Sequence, residues 1–77
     1  MSIDISSIIE DMHVNMVANF IASVFRMHTG FMYVKLDGIN PQKLETVVKE
    51  MLSGDFDIMT RIEKDGLMIQ VQPKKKK

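Results

Sequence analysis

Residues 8–28, IIEDMHVNMVANFIASVFRMH, place the strongest demand on any fold this chain adopts. At 100° per residue, Asp11, Asn15, Asn19, Ala22, Ser23 and Arg26 share one side of a helix. Met16, Phe20, Val24, Val17, Ile21, Val14, Phe25 and Ala18 fill the rest. That apolar arc spans roughly 200°, whereas a surface helix needs about 100°. One small sheet cannot cover it all, so the excess is expected to meet a second helix or another copy of this one.

Size sharpens the demand. Seventy-seven residues are read as one domain over 1–73 followed by a basic tail. Chains this short usually add disulfides, a metal or a partner subunit to a limited core. The chain has no cysteine, which excludes disulfides, cysteine-ligated zinc and iron–sulfur clusters. Oligomerisation is the supplement that this composition leaves open. The first residues lack a positively charged n-region. The most apolar run, MVANFIASVF, covers only residues 16–25, short of the about 20 residues of a membrane span. The expectation is a soluble, cytoplasmic protein with no membrane partner.

The remaining elements are marked by their borders. Ile3 and Ile5 alternate with Ser2 and Asp4, which suits a short strand over 2–5, and Ser7 with Glu10 suits a capping box for a helix over 8–28. A helix starting at Asp4 with no first strand is the alternative. Residues 31–37 read as a strand with Met32, Val34 and Leu36 inward and Phe31, Tyr33, Lys35 and Asp37 outward. Asn40 as N-cap, Pro41 at the first helical position and the Ile39–Leu44 staple announce a helix over 40–53, stopped by Gly54. FDIMTRIE and LMIQVQ then flank an Asp65-Gly66 turn signal. With that turn Ile62 faces Ile69 and Thr60 faces Val71, and Pro73 ends the ladder. The fold expected is α+β, a two-layer sandwich. Two helices lie on one face of a three- or four-stranded mixed sheet, in the order (β)-α-β-α-β-β.

Catalytic constellations are poorly represented, and no enzyme activity, cofactor or metal is expected. His13 and His28 stand fifteen residues apart, about 22 Å along a helix, too far to share an ion. Glu10 and His13 have the i, i+3 spacing of bundle metal sites, but such sites draw further carboxylates from facing helices. The glycines each punctuate one element, and none combine into a phosphate loop.

The outward face of residues 31–37 raises nucleic acid as a partner. Gly30, Phe31, Tyr33 and Val34 resemble the second, third, fifth and sixth positions of the signature strand of the RNA-recognition motif. Thr29 stands in place of its basic residue, Met32 of the small one and Leu36 of the last aromatic. The second signature strand and the middle hairpin of that family are missing. With a strand over 2–5, the element order is also similar to that of Alba chromatin proteins and of the C-terminal domain of translation initiation factor three. Small sulfur carriers share that order, but their Cys-Pro pair is absent here.

Charge opposes this reading. Residues 1–73 carry six basic against ten acidic side chains, a net −4, and Lys74, Lys75, Lys76 and Lys77 restore neutrality. Nucleic-acid domains draw most of their affinity from a basic body. The expectation is therefore a non-enzymatic protein-interaction module that self-associates as a dimer through Met16, Phe20, Val24, Val17 and Ile21. Phe31, Tyr33, Lys35, Arg61, Gln70 and the four terminal lysines form the candidate face for a protein or, as the alternative, a nucleic acid. The lysine tail is expected to be disordered.

Overall fold

The computed structural model describes residues 4–74. Its elements are α1 (Ile5–Met27), β1 (Gly30–Lys35), α2 (Pro41–Leu52), β2 (Phe56–Ile62) and β3 (Gly66–Pro73). The three strands form one sheet in the order β1-β3-β2, antiparallel at both pairings. The α+β class, the two helices on one sheet face and the element order are as read from the sequence. The sheet is antiparallel throughout because β3 inserts between β1 and β2, the two strands joined by the crossover through α2.

Helix α1 begins earlier than the capping box suggested. Asp4 is the N-cap, and its carboxylate accepts the Ser7 amide at 3.3 Å. A carboxylate there satisfies an orphan amide and also meets the positive end of the helix dipole. Ser7 thereby becomes a helical residue. Asp4 and Ile5 do not extend a strand, while residues 2 and 3 of the suggested strand lie outside the described residues. Helix α2 starts as its borders announce, with the Asn40 carbonyl oxygen accepting the amides of Gln42 and Lys43.

The core is one cluster beneath both helices. Val14, Ala18, Ile21, Ala22 and Phe25 of α1 meet Leu44, Val48 and Leu52 of α2 over Leu67, Ile69 and Val71 of β3. All three core residues of the sheet's middle strand are fully buried, as expected for a strand flanked on both sides and roofed by helices. Thr60, on the core face of β2, donates to the Glu45 carboxylate of α2 at 2.6 Å. Among the described residues, no buried side-chain polar atom lacks a hydrogen-bond partner.

The rotation of α1 differs from the wheel's implication. Ala22, grouped above with polar residues, is fully buried. It stands four residues from the equally buried Ala18, and these short side chains let α1 lie close to α2. Of its polar side chains, Glu10, Asp11 and Arg26 reach across this seam, whereas Asn15, Asn19 and Ser23 are exposed, Asn19 and Ser23 donating to the Asn15 and Asn19 carbonyls of α1 itself. Lys43 of α2 pairs with Glu10 at 2.5 Å and Asp11 at 3.4 Å, and Arg26 donates to the Met51 carbonyl at 3.4 Å. The two tethers join N-terminal half to N-terminal half and C-terminal end to C-terminal end, so the helices run in the same direction.

The β2–β3 hairpin has a different register from the one expected. Ile62 faces Leu67, Thr60 faces Ile69 and Ile58 faces Val71. Glu63 and Gly66 close the loop through the Glu63 amide and the Gly66 carbonyl at 2.9 Å, so the turn residues are Lys64 and Asp65. The shift is two residues, which preserves every inward and outward assignment. Gly66 is spent on proximity and not on the turn. A Cβ there would lie 2.5 Å from the Val34 carbonyl oxygen and 2.6 Å from the Tyr33 hydroxyl.

Gly66→Ala is accordingly expected to destabilise the fold by about 1–3 kcal/mol through steric displacement of β1. Gly54→Ala, where a Cβ meets nothing within 4 Å, is the control and should be neutral or stabilise by up to about 1 kcal/mol. Urea unfolding of the two variants compares them directly. Equal midpoints would show that the close approach at Gly66 carries no weight.

Candidate interaction surfaces

Two surfaces hold the residues singled out by sequence. The first is the outer arc of α1. Because the Ala18–Ala22 seam turns one side of the helix toward α2 and Ile21 and Phe25 point into the core, the opposite side faces solvent. Ile5, Ile9, Met12, Met16, Phe20 and Met27 lie along it, each between 59% and 76% exposed. None of the charged residues within α1 (Glu10, Asp11 and Arg26) falls on this arc. Its polar members are Ser23 and, at its two margins, His13 and Asn19.

The proposed self-association set divides here. Met16 and Phe20 are on the arc, and Val24 is half-buried beside it. Val17 packs against the core, and Ile21 is 1% exposed within it. Ile21 is thus unavailable to a partner, because the seam sets the helix rotation and directs it inward. Ile5, Ile9, Met12 and Met27 belong to the arc but were not singled out. The recurrence of Ile9, Met12 and Met27 at helical spacing was available within residues 8–28, and only Ile5 lay outside the helix read there.

The second surface is the open face of the sheet. Phe31, Gln70 and Met59 form one cross-strand row, and Tyr33, Met68 and Arg61 the next. Lys35 follows opposite Gly66. The structure therefore brings Phe31, Tyr33, Lys35, Arg61 and Gln70 onto one face, as alternation in the strands implies. Met59, Arg61, Met68 and Gln70 line a shallow groove across β2 and β3. Lys74 lies beyond this face, its amide donating to the Asp55 carbonyl at 3.4 Å. Lys75, Lys76 and Lys77, with the disorder expected of them, lie outside the described residues.

Electrostatically the face is mixed. Arg61 is paired with Glu63, Nε to Oε1 at 3.3 Å, and Asp57 shares the outward side of β2. Tyr33 donates its hydroxyl to the Asp65 carboxylate at 2.5 Å. That hydrogen bond, then desolvation and the charges of Asp65 and Glu63, raise the Tyr33 pKa above its ordinary value. On the helix side, the Glu10 hydrogen bond raises the Lys43 pKa against partial desolvation, with the charges of Glu10 and Asp11 adding to it. Among the described residues, no group of three or more His, Cys, Asp or Glu is placed to hold a metal ion. No helix among them is long and apolar enough to cross a membrane.

Comparisons with protein-family models, with curated proteins and with solved structures found no match.

The Tyr33–Asp65 bond has a direct spectroscopic check, since the chain has one tyrosine and no tryptophan. Alkaline titration of the phenol absorbance should give a midpoint above 10, and Asp65→Asn should return it toward 10. The raised value means that the bond's contribution is complete below the unfolded tyrosine pKa. It is lost as pH rises through the folded one. A midpoint unaffected by Asp65→Asn would show that the bond does not persist in solution.

Proposed function

We propose that this chain is a small, non-enzymatic interaction module that self-associates through the outer arc of α1. The observation that supports it is a largely apolar stripe without charged residues, turned to solvent along a 23-residue helix. Burying apolar surface is worth about 25 cal/mol per Å², and contiguous exposed apolar patches mark contact sites. A chain with a small core and no cysteine also has most to gain from a partner subunit. A reducing cytoplasm permits the lack of cysteine, and the module is proposed to act there.

A second reading draws on Phe31 and Tyr33, both exposed on one sheet face with Lys35, Arg61 and Gln70. Stacking on aromatics, assisted by the lysine tail, is how sequence-tolerant single-strand binders work. The Arg61–Glu63 pair and the nearby Asp57 and Asp65 weaken that reading relative to the first. Oligonucleotide binding at low salt by the full chain, by a chain ending at Pro73 and by Phe31→Ala separates the cases. Binding that survives truncation but is lost in Phe31→Ala would place nucleic acid on the sheet.

For the first reading, sedimentation at about 10–100 μM should show a dimer, a range suited to an interface at the small end of the known sizes. Phe20→Asp should sediment as a monomer with unchanged helical circular dichroism, because Phe20 has no role in the core. A parent chain that remains monomeric throughout would refute self-association.

A further inference from the structure

We infer that the partner on α1 is the α1 of a second copy, packed antiparallel about a twofold axis at Met16. This specifies the geometry of the self-association proposed above and rests on it. Four observations support this arrangement over a parallel pair or an unrelated helix.

The stripe is straight. Ile5, Met16 and Met27 recur every eleven residues, three turns of 3.67 residues, so the apolar line drifts little from the helix axis. A second helix can therefore follow it from end to end.

The stripe is also close to its own mirror order. Reversal about Met16 exchanges Met12 with Phe20, Ile5 with Met27, His13 with Asn19 and Ile9 with Ser23. A twofold interface requires that residue i meet j while j meets i. Here that operation places apolar on apolar at Met16, Met12–Phe20 and Ile5–Met27. It leaves a small hydroxyl beneath Ile9.

The helix dipoles favour the same orientation. Glu10, Asp11 and Arg26 lie off the arc, with Glu10 and Asp11 paired to Lys43, so side-chain charge does not enter the contact. Antiparallel packing opposes the two dipoles, whereas parallel packing aligns them.

Finally, α1 outreaches its own core. Its buried residues begin at Val14, and every side chain from Ile5 to His13 is exposed except the half-buried Glu10. The Asp4 cap and the Lys43 contacts to Glu10 and Asp11 hold this segment, but its apolar side chains Ile5, Ile9 and Met12 are not part of the core. In the antiparallel pair it lies along the partner's residues 19–27, which Ile21, Ala22 and Phe25 anchor. Each copy then supports the other's projecting turns.

The absence of native cysteine makes the test clean. Facing Cα atoms of helices packed at 8–10 Å come within about 4–6 Å, inside disulfide range. Under mild oxidation Met16→Cys should become a disulfide dimer on a non-reducing gel. Met27→Cys should stay monomeric, because its two copies stand about 33 Å apart in this arrangement. A mixture of Met12→Cys with Phe20→Cys should yield the mixed dimer, identified by mass. All four positions are exposed, so these substitutions leave the core intact. Cross-linking of Met27→Cys as readily as Met16→Cys would replace this arrangement with a parallel one. No cross-link at Met16→Cys, while the parent chain sediments as a dimer, would move the interface off the Met16 axis. A parent chain that sediments as a monomer would instead overturn the self-association beneath it.

Discussion

The close seam between α1 and α2 determines most of what this structure presents to its surroundings. Ala18 and Ala22 allow the two helices to approach, and the Lys43 and Arg26 tethers hold Glu10, Asp11 and Arg26 along the edge of that contact. Helix rotation is thereby set. Ile21 and Phe25 are committed to the sheet, and the charge-free side has nowhere to point except outward. In an ordinary amphipathic helix the polar arc faces water. Here the charged members of the polar arc reach across to a second helix, and an apolar arc shares the solvent with the exposed Asn15, Asn19 and Ser23.

The sheet offers a different kind of surface. Its open face alternates aromatic, thioether, amide and charged groups, with Arg61 and Tyr33 already engaged by neighbouring carboxylates. Any ligand there must compete with those contacts, and its charge meets both signs at close range. The helix arc has no such internal partners. The contrast is physical: one surface is locally satisfied, whereas the other retains an unfavourable exposure to water.

Elements with stereochemical borders were legible in the sequence. Asn40, Pro41 and the Ile39–Leu44 staple each act on a few adjacent atoms, so α2 could be read without tertiary information. Strand alternation placed Phe31, Tyr33, Lys35, Arg61 and Gln70 on one face, and that survived a two-residue change in hairpin register because the side-chain period is two. Properties set at a distance were not legible. A wheel shows an arc but not which side a neighbour will take, so Ala22 and Ile21 were misassigned until α2 was in place. Asp65-Gly66 carried a turn signal, yet the pressure of Tyr33 and the Val34 carbonyl on Gly66 arises only across strands. The Tyr33–Asp65 bond joins residues 32 positions apart and left no local pattern.

The position of β3 carries a consequence for how the molecule is made. It is the middle strand of the sheet, and it follows every other element in chain order. During synthesis β1 and β2 emerge without a hydrogen-bonding neighbour, and neither can complete its ladder until residues 66–73 arrive. Both helices must therefore wait over an unfinished floor, since Leu67, Ile69 and Val71 supply its buried centre. Assembly is then a single late event, with long-range pairing across β1 and β3 closing last, as expected where contacts join distant parts of a chain.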